Sequence, residues 1–209
     1  MEKTIVQIIY IVFIWLLTTT AVNCALQGFA IPSFSRKNYP LRYTVAGKNR
    51  IDLQKNHECS GYAAAYILRH LGVEATGEAI YRAMPNKLGN GDVYPKGIVK
   101  LLRRQGLKAV YRIGSLARLK EEVSKGIPVI AFIKIHHAQN IFHFVPVVGY
   151  DEESIYLAES LSQLVNAQDA HYNRKLPTQA FKRLWNTSCL RMPLYRYTYI
   201  TVSQNREAA

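Results

Sequence analysis

The chain has 209 residues and a mass of 23.8 kDa, which suits one domain with a hydrophobic core and is too short for two enzymatic domains of ordinary size. With 49% hydrophobic and 20% charged residues, it is neither a disordered chain nor a collagen-like or coiled-coil fibre. Its three widely spaced cysteines exclude a disulfide scaffold and a cysteine-rich zinc module, and a net charge of +13 favours polyanionic neighbours such as nucleic acid, anionic lipid or cell-wall polymers.

The N-terminal segment is the longest uncharged stretch of the chain. No charged residue occurs from Thr4 to Ser35, and Ile8 to Leu17 is an unbroken apolar run of ten residues. This length is typical of the hydrophobic region of a signal peptide, while extension through Val22 makes a marginal membrane span. We therefore interpret residues 1–24 as a cleaved signal peptide or an N-terminal membrane anchor, with lipid attachment at Cys24 as a further alternative.

From this segment we expect the protein to be membrane-associated or exported, either to the cell envelope or out of the cell. Basic residues are more numerous after the apolar run than before it, where Lys3 stands beside Glu2. This distribution favours a cytoplasmic position for the flank that follows the run. The side of the membrane therefore stays open on sequence grounds.

The rest of the chain divides into a lead-in, residues 25–50, and a domain, residues 51–205. The lead-in mixes Pro, Ser, Gly and basic residues without periodicity and is interpreted as a linker or an extended lead-in strand. Apolar residues at helical spacing predict a helix from Cys59 to Leu71, which Gly72 terminates. Capping residues and terminating glycines predict three more helices: Thr76–Met84, Pro95–Gly106 and Ser115–Gly126.

Runs of β-branched and aromatic residues then replace the helical period. They predict antiparallel strands at Pro128–Lys134, Phe142–Tyr150 and Ser154–Ala158, and Pro146 indicates an edge strand or a bulge. Because helices come first and the sheet follows, the predicted class is α+β rather than a doubly wound parallel fold. Two further predicted elements lie near the C-terminus: the helix Thr178–Asn186 and the strand Tyr195–Val202.

Cys59 and Gln54 are the first candidates for chemistry. Cys59 lies at the N-terminus of its predicted helix, where unpaired backbone N–H groups and the helix dipole favour a thiolate over a thiol. The alternative is a small, buried, unreactive residue. Gln54 lies five residues earlier in a predicted loop. Its amide is either a second hydrogen-bond donor to an oxyanion or an ordinary polar loop group.

His143 and Glu159 are the candidates from the predicted sheet. His143 lies in a strand between two phenylalanines, and Glu159 follows the next strand, so antiparallel pairing would return the carboxylate to the imidazole and orient it. The alternatives are a core histidine bonded to a carbonyl and a solvated turn glutamate. His136 and His137 are expected in a polar turn, exposed to solvent or lining a cleft, rather than catalytic. Since no HxxxH or His–Cys spacing supports zinc, we predict no metal and no cofactor.

Three segments of the chain resemble a known family, the bacteriocin-processing (double-glycine leader) cysteine peptidases. These are papain-like domains often fused to peptide-exporting ABC transporters. Their cysteine motif resembles residues 54–72, which read QKNHECSGYAAAYILRHLG, and their histidine motif resembles residues 126–160, which read GIPVIAFIKIHHAQNIFHFVPVVGYDEESIYLAES. A Phe-x-x-x-Trp helix near the end of such domains resembles residues 181–185, FKRLW. The likeness covers about residues 50–187.

The resemblance implies a papain-like α+β fold, in which a helical half with the nucleophile helix packs on an antiparallel sheet that carries the histidine. By the same resemblance, Cys59 is the nucleophile and His143 the general base and acid. Glu159 is then the third member that orients the imidazole, and Gln54 is the oxyanion donor.

The chain departs from the family pattern at three points. Ser60 occupies a position where the family usually has Gly, with Gly61 displaced by one residue. Glu159 and Ser160 stand where the family usually has Asp followed by Pro. Nothing after residue 187 resembles a membrane span or a nucleotide-binding loop, so we expect a domain without a fused transporter and a separate peptide exporter as its partner.

The leading functional hypothesis is a cysteine peptidase that processes leader or secreted peptides. One alternative is a catalytically silent relative that binds peptides or envelope partners in the same cleft, and another is an amidase or acyl transferase on wall peptides. Nucleic acid is not an expected partner, because no readout motif accompanies the basic residues and an export segment precedes them. A solvated basic face or an anionic membrane surface fits these residues: Lys96, Lys100, Arg103, Arg104 and Lys108.

Overall fold

The computed structural model describes residues 2–28, 30–34, 39–189 and 195–204. This part of the chain contains eight strands and six α-helices. The helices are α1 (Glu2–Gln27), α2 (Cys59–His70), α3 (Gly77–Arg82), α4 (Pro95–Arg104), α5 (Leu116–Val123) and α6 (Thr178–Trp185). The strands are β1 (Ile31–Pro32), β2 (Tyr43–Thr44), β3 (Leu107–Ile113), β4 (Val129–Lys134), β5 (Phe142–Tyr150), β6 (Ser154–Leu157), β7 (Arg174–Pro177) and β8 (Thr198–Gln204).

The strands form one sheet in the order β1-β3-β8-β4-β5-β6-β7, and β2 pairs with β5 beside this path. Within the described residues, β1 and β3 are parallel and the other neighbours are antiparallel. Helices precede most of the sheet in the chain, and helix and strand do not alternate in parallel β-α-β units. The predicted α+β class is therefore confirmed.

Local capping signals place the helix ends close to where the sequence predicts them. Gly72 follows α2 with a φ of +84°, a left-handed conformation that glycine adopts without strain. The Thr76 hydroxyl accepts a hydrogen bond from Ala79 N–H at the start of α3, and the Ser115 hydroxyl accepts one from Arg118 N–H at the start of α5. These short-range contacts explain why the helix predictions hold.

The sequence analysis does not predict two of the strands, β3 and β7. β3 lies between α4 and α5, so the strict order of helices first and sheet second is wrong at this point. Along β3, exposed Lys108 precedes buried Ala109, and buried Tyr111 precedes half-buried Arg112; this mixed run pairs over its whole length with distant β8. β7 is four residues long and pairs with β6. Both strands exist because of these long-range pairings.

Pro146 corrects one expectation about the sheet. Its strand, β5, lies between β4 and β6, so the edge position that the sequence suggested is wrong. The pairing with β6 becomes irregular between Val147 and Gly149, directly after the proline, which agrees with the alternative of a bulge. The Pro146 carbonyl still accepts a hydrogen bond from Ala158 N–H at 3.0 Å. The proline thus still contributes its carbonyl to the hydrogen bonding between these segments.

The core consists of two apolar clusters on opposite faces of the sheet. Alternate residues of β4 divide between them: Ile130 and Phe132 belong to the cluster with α4, while Ala131 and Ile133 belong to the cluster with α5 and α6. This alternation follows from the two-residue period of a strand. The sheet is covered on both faces, which makes its central strands a rigid support for buried polar groups.

The lead-in contributes to the sheet. β1 pairs with β3, and β2 pairs with β5, so two short parts of the lead-in are extended strands. Residues 35–38 of the lead-in and residue 205, the predicted end of the domain, lie outside the described residues.

α1 is the one long apolar helix of the described part of the chain. The window from Lys3 to Val22 has a mean hydropathy of 2.2, and none of it is buried against protein. Its length and composition suit either a signal sequence or a membrane anchor.

Candidate active site

Cys59 is the first residue of α2, as the sequence predicts, and its side chain is half-buried. Glu58 precedes it at the N-cap position and makes no side-chain capping hydrogen bond to the helix. The Gly61 N–H already donates to the Glu58 carbonyl at 2.9 Å, whereas the Cys59 N–H precedes the first turn and has no acceptor within the helix, so it is able to bind negative charge beside the cysteine.

His143 lies on β5 opposite Ile133 of β4, and only 1% of its surface is exposed. Its Nε2 is 2.8 Å from Oε1 of Glu159, and the Cys59 side chain lies close enough to interact with the ring and raise its pKa. Because Glu159 occupies Nε2, Nδ1 is the nitrogen left for the sulfur. The histidine therefore stands between the thiol and the carboxylate.

The protonation of His143 follows from these two partners. Burial alone lowers the pKa of an imidazole, but the charge of Glu159 and the interaction with Cys59 outweigh it and raise the pKa of His143 to about 9. The imidazolium is consequently the favoured form at neutral pH.

Glu159 follows β6 and is fully buried, so the alternative of a solvated turn glutamate is wrong. Its Oε1 accepts hydrogen bonds from His143 and from Leu161 N–H, each at 2.8 Å, and its Oε2 accepts one from Arg174 Nη1 at 2.7 Å. Burial raises the pKa of a carboxyl, but the charge and hydrogen bond of His143, with help from Leu161 N–H and Arg174, lower the pKa of Glu159 below its ordinary value. The carboxylate is therefore charged.

Arg174 and Asn173 are site residues that the sequence analysis missed. Arg174 is buried at the start of β7, where it pairs with Leu157 of β6 and reaches Glu159. Asn173 accepts a hydrogen bond from Glu159 N–H through Oδ1 at 2.6 Å and donates one to the Glu159 carbonyl through Nδ2 at 2.8 Å. The folding of β7 back onto β6 creates both contacts, and no local pattern indicates that pairing.

Gln54 lies in the loop before α2 and is connected to the carboxylate segment through Ser160. Its Oε1 accepts a hydrogen bond from Ser160 Oγ at 2.6 Å, and its backbone N–H donates to the Ser160 carbonyl at 2.8 Å. Its Nε2 donates to the Asn56 carbonyl at 2.6 Å, which uses one of the two amide N–H groups. The amide is thus held at both ends, with one N–H left for a ligand.

Ser60 and Gly61 form the first of the three points at which the sequence departs from the family pattern. Ser60 is 3% exposed, so its side chain packs into the protein. A Cβ on Gly61 would lie 2.4 Å from Tyr81 Cβ and 2.6 Å from the Gly77 carbonyl of α3. Gly61 is therefore required for the close approach of α2 and α3, and this packing accounts for it without reference to a substrate.

The remaining histidine candidates lie apart from this cluster. His136 and His137 are exposed in the turn between β4 and β5, as the sequence predicts. Among the described residues, no group of three or more His, Cys, Asp or Glu side chains is arranged to hold a metal ion.

Known structures share this fold. The peptidase domain of Streptococcus ComA, a bi-functional ABC transporter of a quorum-sensing pathway, matches with a TM-score of 0.58 and 14% identity, over 77% of this chain and 100% of that one. A double-glycine-motif protease from an AMS/PCAT transporter, solved with its leader peptide, matches with a TM-score of 0.50 and 15% identity, over 79% and 100% of the two chains. A protein described as a C39-like peptidase from Bacillus anthracis matches with a TM-score of 0.54 and 18% identity, over 83% and 98%.

The sequence comparison is consistent with these structures. No curated protein matches the chain by sequence. At identities below 20%, the structural matches show a common fold only. The family model described as Peptidase_C39 like matches residues 43–189, which is well over half of the chain. The chain therefore belongs to the Peptidase_C39 like family.

Proposed function

We propose that the chain is a cysteine peptidase in which Cys59, His143 and Glu159 form the catalytic triad and Gln54 supplies an oxyanion donor. The observation that carries this proposal is the position of His143, which is buried, hydrogen-bonded to the Glu159 carboxylate and close enough to the Cys59 side chain to interact with it. A core histidine needs no thiol partner, so this arrangement favours catalysis over a structural role.

The chemistry divides into two steps. In the reactive pair His143 carries the proton and Cys59 is the thiolate, and the sulfur attacks the carbonyl carbon of the scissile peptide bond. The oxyanion accepts hydrogen bonds from the free N–H of Gln54 and from the backbone N–H of Cys59. His143 then donates its proton to the leaving amine as the C–N bond breaks, which leaves a thioester on Cys59.

Water resolves the thioester in the second step. His143 accepts a proton from the attacking water, the C–S bond breaks, and the Cys59 thiolate and the His143 imidazolium are restored as the acid product leaves. Glu159 stays ionised throughout, because His143 and Arg174 hold its charge, and it keeps the imidazole aligned between sulfur and substrate.

The proposed substrates are leader or secreted peptides. A double-glycine-motif protease in complex with a leader peptide has the same fold, which supports a leader that ends in Gly-Gly as the first substrate to try. Processing coupled to secretion would involve a separate peptide exporter. We also propose that residues 1–24 act as a signal or anchor and that residues 51–205 form the peptidase domain.

A silent peptide-binding relative is the second candidate. The hydrogen bond from Gln54 Nε2 to the Asn56 carbonyl favours it, because this bond already uses part of the donor capacity that an oxyanion would need. In this case the cleft would bind peptide without turnover.

One experiment separates the two candidates. The full-length chain in mild detergent is treated with iodoacetamide, and labelling is located by peptide mass at Cys59 and at Cys189, which is also a free, half-buried cysteine. We expect Cys59 to react faster than Cys189 in the wild type and to lose that advantage in His143→Ala. Cleavage of a Gly-Gly leader peptide should disappear in Cys59→Ala. Equal labelling rates together with peptide binding would support the silent relative instead.

A further inference from the structure

α4 has two chemically different faces. Its apolar side chains, including Ile98, Leu101 and Leu102, are buried in the core. Its basic side chains are exposed and follow the helical spacing that places them along one side. Together with the exposed lysine just after the helix, they form what we call the basic stripe: Lys96, Lys100, Arg103, Arg104 and Lys108.

The charge of the basic stripe is not neutralised within the described part of the protein. No acidic residue occurs in the chain between Asp92 and Glu121. The ion pairs found among the described residues involve other basic side chains. Arg103 donates a hydrogen bond to the Ala109 carbonyl, which carries no counter-charge. The stripe is therefore a surface that fits a polyanion.

The end of α1 meets the first turn of α4. Gly28, directly after α1, packs against Lys96: a methyl group on Gly28 would lie 3.3 Å from Lys96 Cβ. The Tyr195 hydroxyl holds the same point by donating a hydrogen bond to the Gly28 carbonyl at 3.3 Å. The basic stripe thus begins where the long apolar helix joins the domain.

This junction sets the distance between the stripe and a bilayer. The apolar window of α1 ends at Val22, six residues before Gly28, so Gly28 lies about 9 Å beyond it along a helix. That is slightly more than the thickness of one headgroup layer, which is about 5–8 Å. Since a ten-residue helix is about 15 Å long, the first turn of α4 lies near the headgroups whenever α1 spans the membrane, and its far end lies at most about 15 Å further away.

We infer that the basic stripe is a second membrane contact, which binds the anionic phospholipid headgroups of the bilayer that α1 spans. Opposite charge and enforced proximity both favour this partner, and basic residues near an anionic surface are attracted to it. Nucleic acid would match only the positive charge of the basic stripe. A membrane-spanning α1, which is apolar and not covered by protein, also places lipid next to the stripe. The contact would fix the orientation of the domain at the membrane, independently of peptidase chemistry.

The test measures amine acetylation of Lys100 in the full-length chain, reconstituted into nanodiscs of phosphatidylcholine alone or mixed with phosphatidylglycerol. Retention of the chain in neutral nanodiscs first establishes that α1 anchors it, and loss from them overturns the proposal. We expect acetylation of Lys100 to be about fivefold slower in the anionic nanodiscs, and the difference to vanish at high salt. Exposed Lys48 serves as the internal reference and should react equally in both lipids.

A matched pair of variants assigns the effect to the stripe. Arg104→Glu with Lys108→Glu removes stripe charge but keeps Lys100 as the reporter, and it should abolish most of the lipid-dependent protection. The control, Arg82→Glu with Arg183→Glu, reverses two exposed charges elsewhere and should retain the protection. Equal acetylation in both lipids, or protection that survives in the stripe variant, overturns the proposal. So does protection by added RNA in neutral nanodiscs without protection by anionic lipid.

Discussion

Ser160 Oγ donates a hydrogen bond of 2.6 Å to Gln54 Oε1, and the Ser160 carbonyl accepts one of 2.8 Å from Gln54 N–H. Ser160 immediately follows Glu159, so the loop that carries the proposed oxyanion donor is attached to the segment that carries the carboxylate partner of His143. The hydroxyl holds the oxygen end of the amide and thereby determines where its nitrogen lies.

Ser160→Ala should therefore lower kcat for peptide cleavage about tenfold with little change in KM, because the Gln54 amide is then held only through its bond to the Asn56 carbonyl and its nitrogen is placed less precisely. Ser162→Ala is the matched control, since Ser162 is exposed nearby, and it should leave kcat unchanged. In a Gln54→Ala background, Ser160→Ala should have no further effect. An additive loss of kcat in the double variant would contradict positioning through Gln54.

The raised pKa of His143 predicts a pH dependence of stability. The imidazolium is favoured in the folded state, so its contribution is present in full below pH 6.5 and is lost as the pH rises through about 9. This shift in the pKa of His143 corresponds to a contribution of about 3 kcal/mol to the free energy of unfolding. Urea unfolding across this range should show a falling free energy of unfolding in the wild type and a flatter profile in His143→Gln.

His136→Gln, in the exposed turn, is the control for that measurement and should keep the wild-type slope. An unchanged slope in His143→Gln would mean that His143 is neutral in the folded protein. Glu159 has the opposite pH dependence. Its pKa is lowered, so its contribution to the free energy of unfolding is present above the ordinary pKa of a glutamate and is lost as the pH falls.

Arg174→Met should destabilise the protein strongly, because it leaves the buried Glu159 carboxylate without one of its charged partners. Breaking a buried ion pair from one side costs about 3–5 kcal/mol. Lys175→Met is the matched control at the next position; its side chain is half-exposed and 3.5 Å from Asp151, so about 1 kcal/mol or less is expected. Chemical denaturation measures both variants.

The double variant Glu159→Gln with Arg174→Met removes both charges and should recover part of the stability lost in Arg174→Met. Peptide cleavage should remain low in the double variant, since the imidazole no longer has a charged partner. If the double variant is less stable than Arg174→Met, the buried charge is not the origin of the loss.

Gly61→Ala should lower the free energy of unfolding by about 1–3 kcal/mol or more, because the added methyl group meets backbone atoms of α3 that cannot move aside. Gly89→Ala is the control, since a Cβ there meets no atom within 4 Å, and its effect should be close to zero. Thermal unfolding compares the two. Equal midpoints would show that α2 and α3 separate without penalty.

Much of the fold follows from short-range signals in the sequence. The end of α2 at Gly72 and the starts of α3 and α5 at Thr76 and Ser115 depend on contacts within a few residues, which a single sequence displays. The position of Cys59 at a helix N-terminus and that of His143 in a strand follow from the same local periods. The α+β class follows from their order.

The tertiary structure decided the features that depend on distant pairing. β3 became a strand by pairing with β8, and Pro146 came to lie inside the sheet because β6 covers its strand. Arg174 reached Glu159 because β7 folds onto β6, and Ser160 reached Gln54 although 106 residues separate them. Such contacts depend on strand register and loop closure across the whole chain. The neighbouring residues in the sequence do not indicate which distant residue each one will contact.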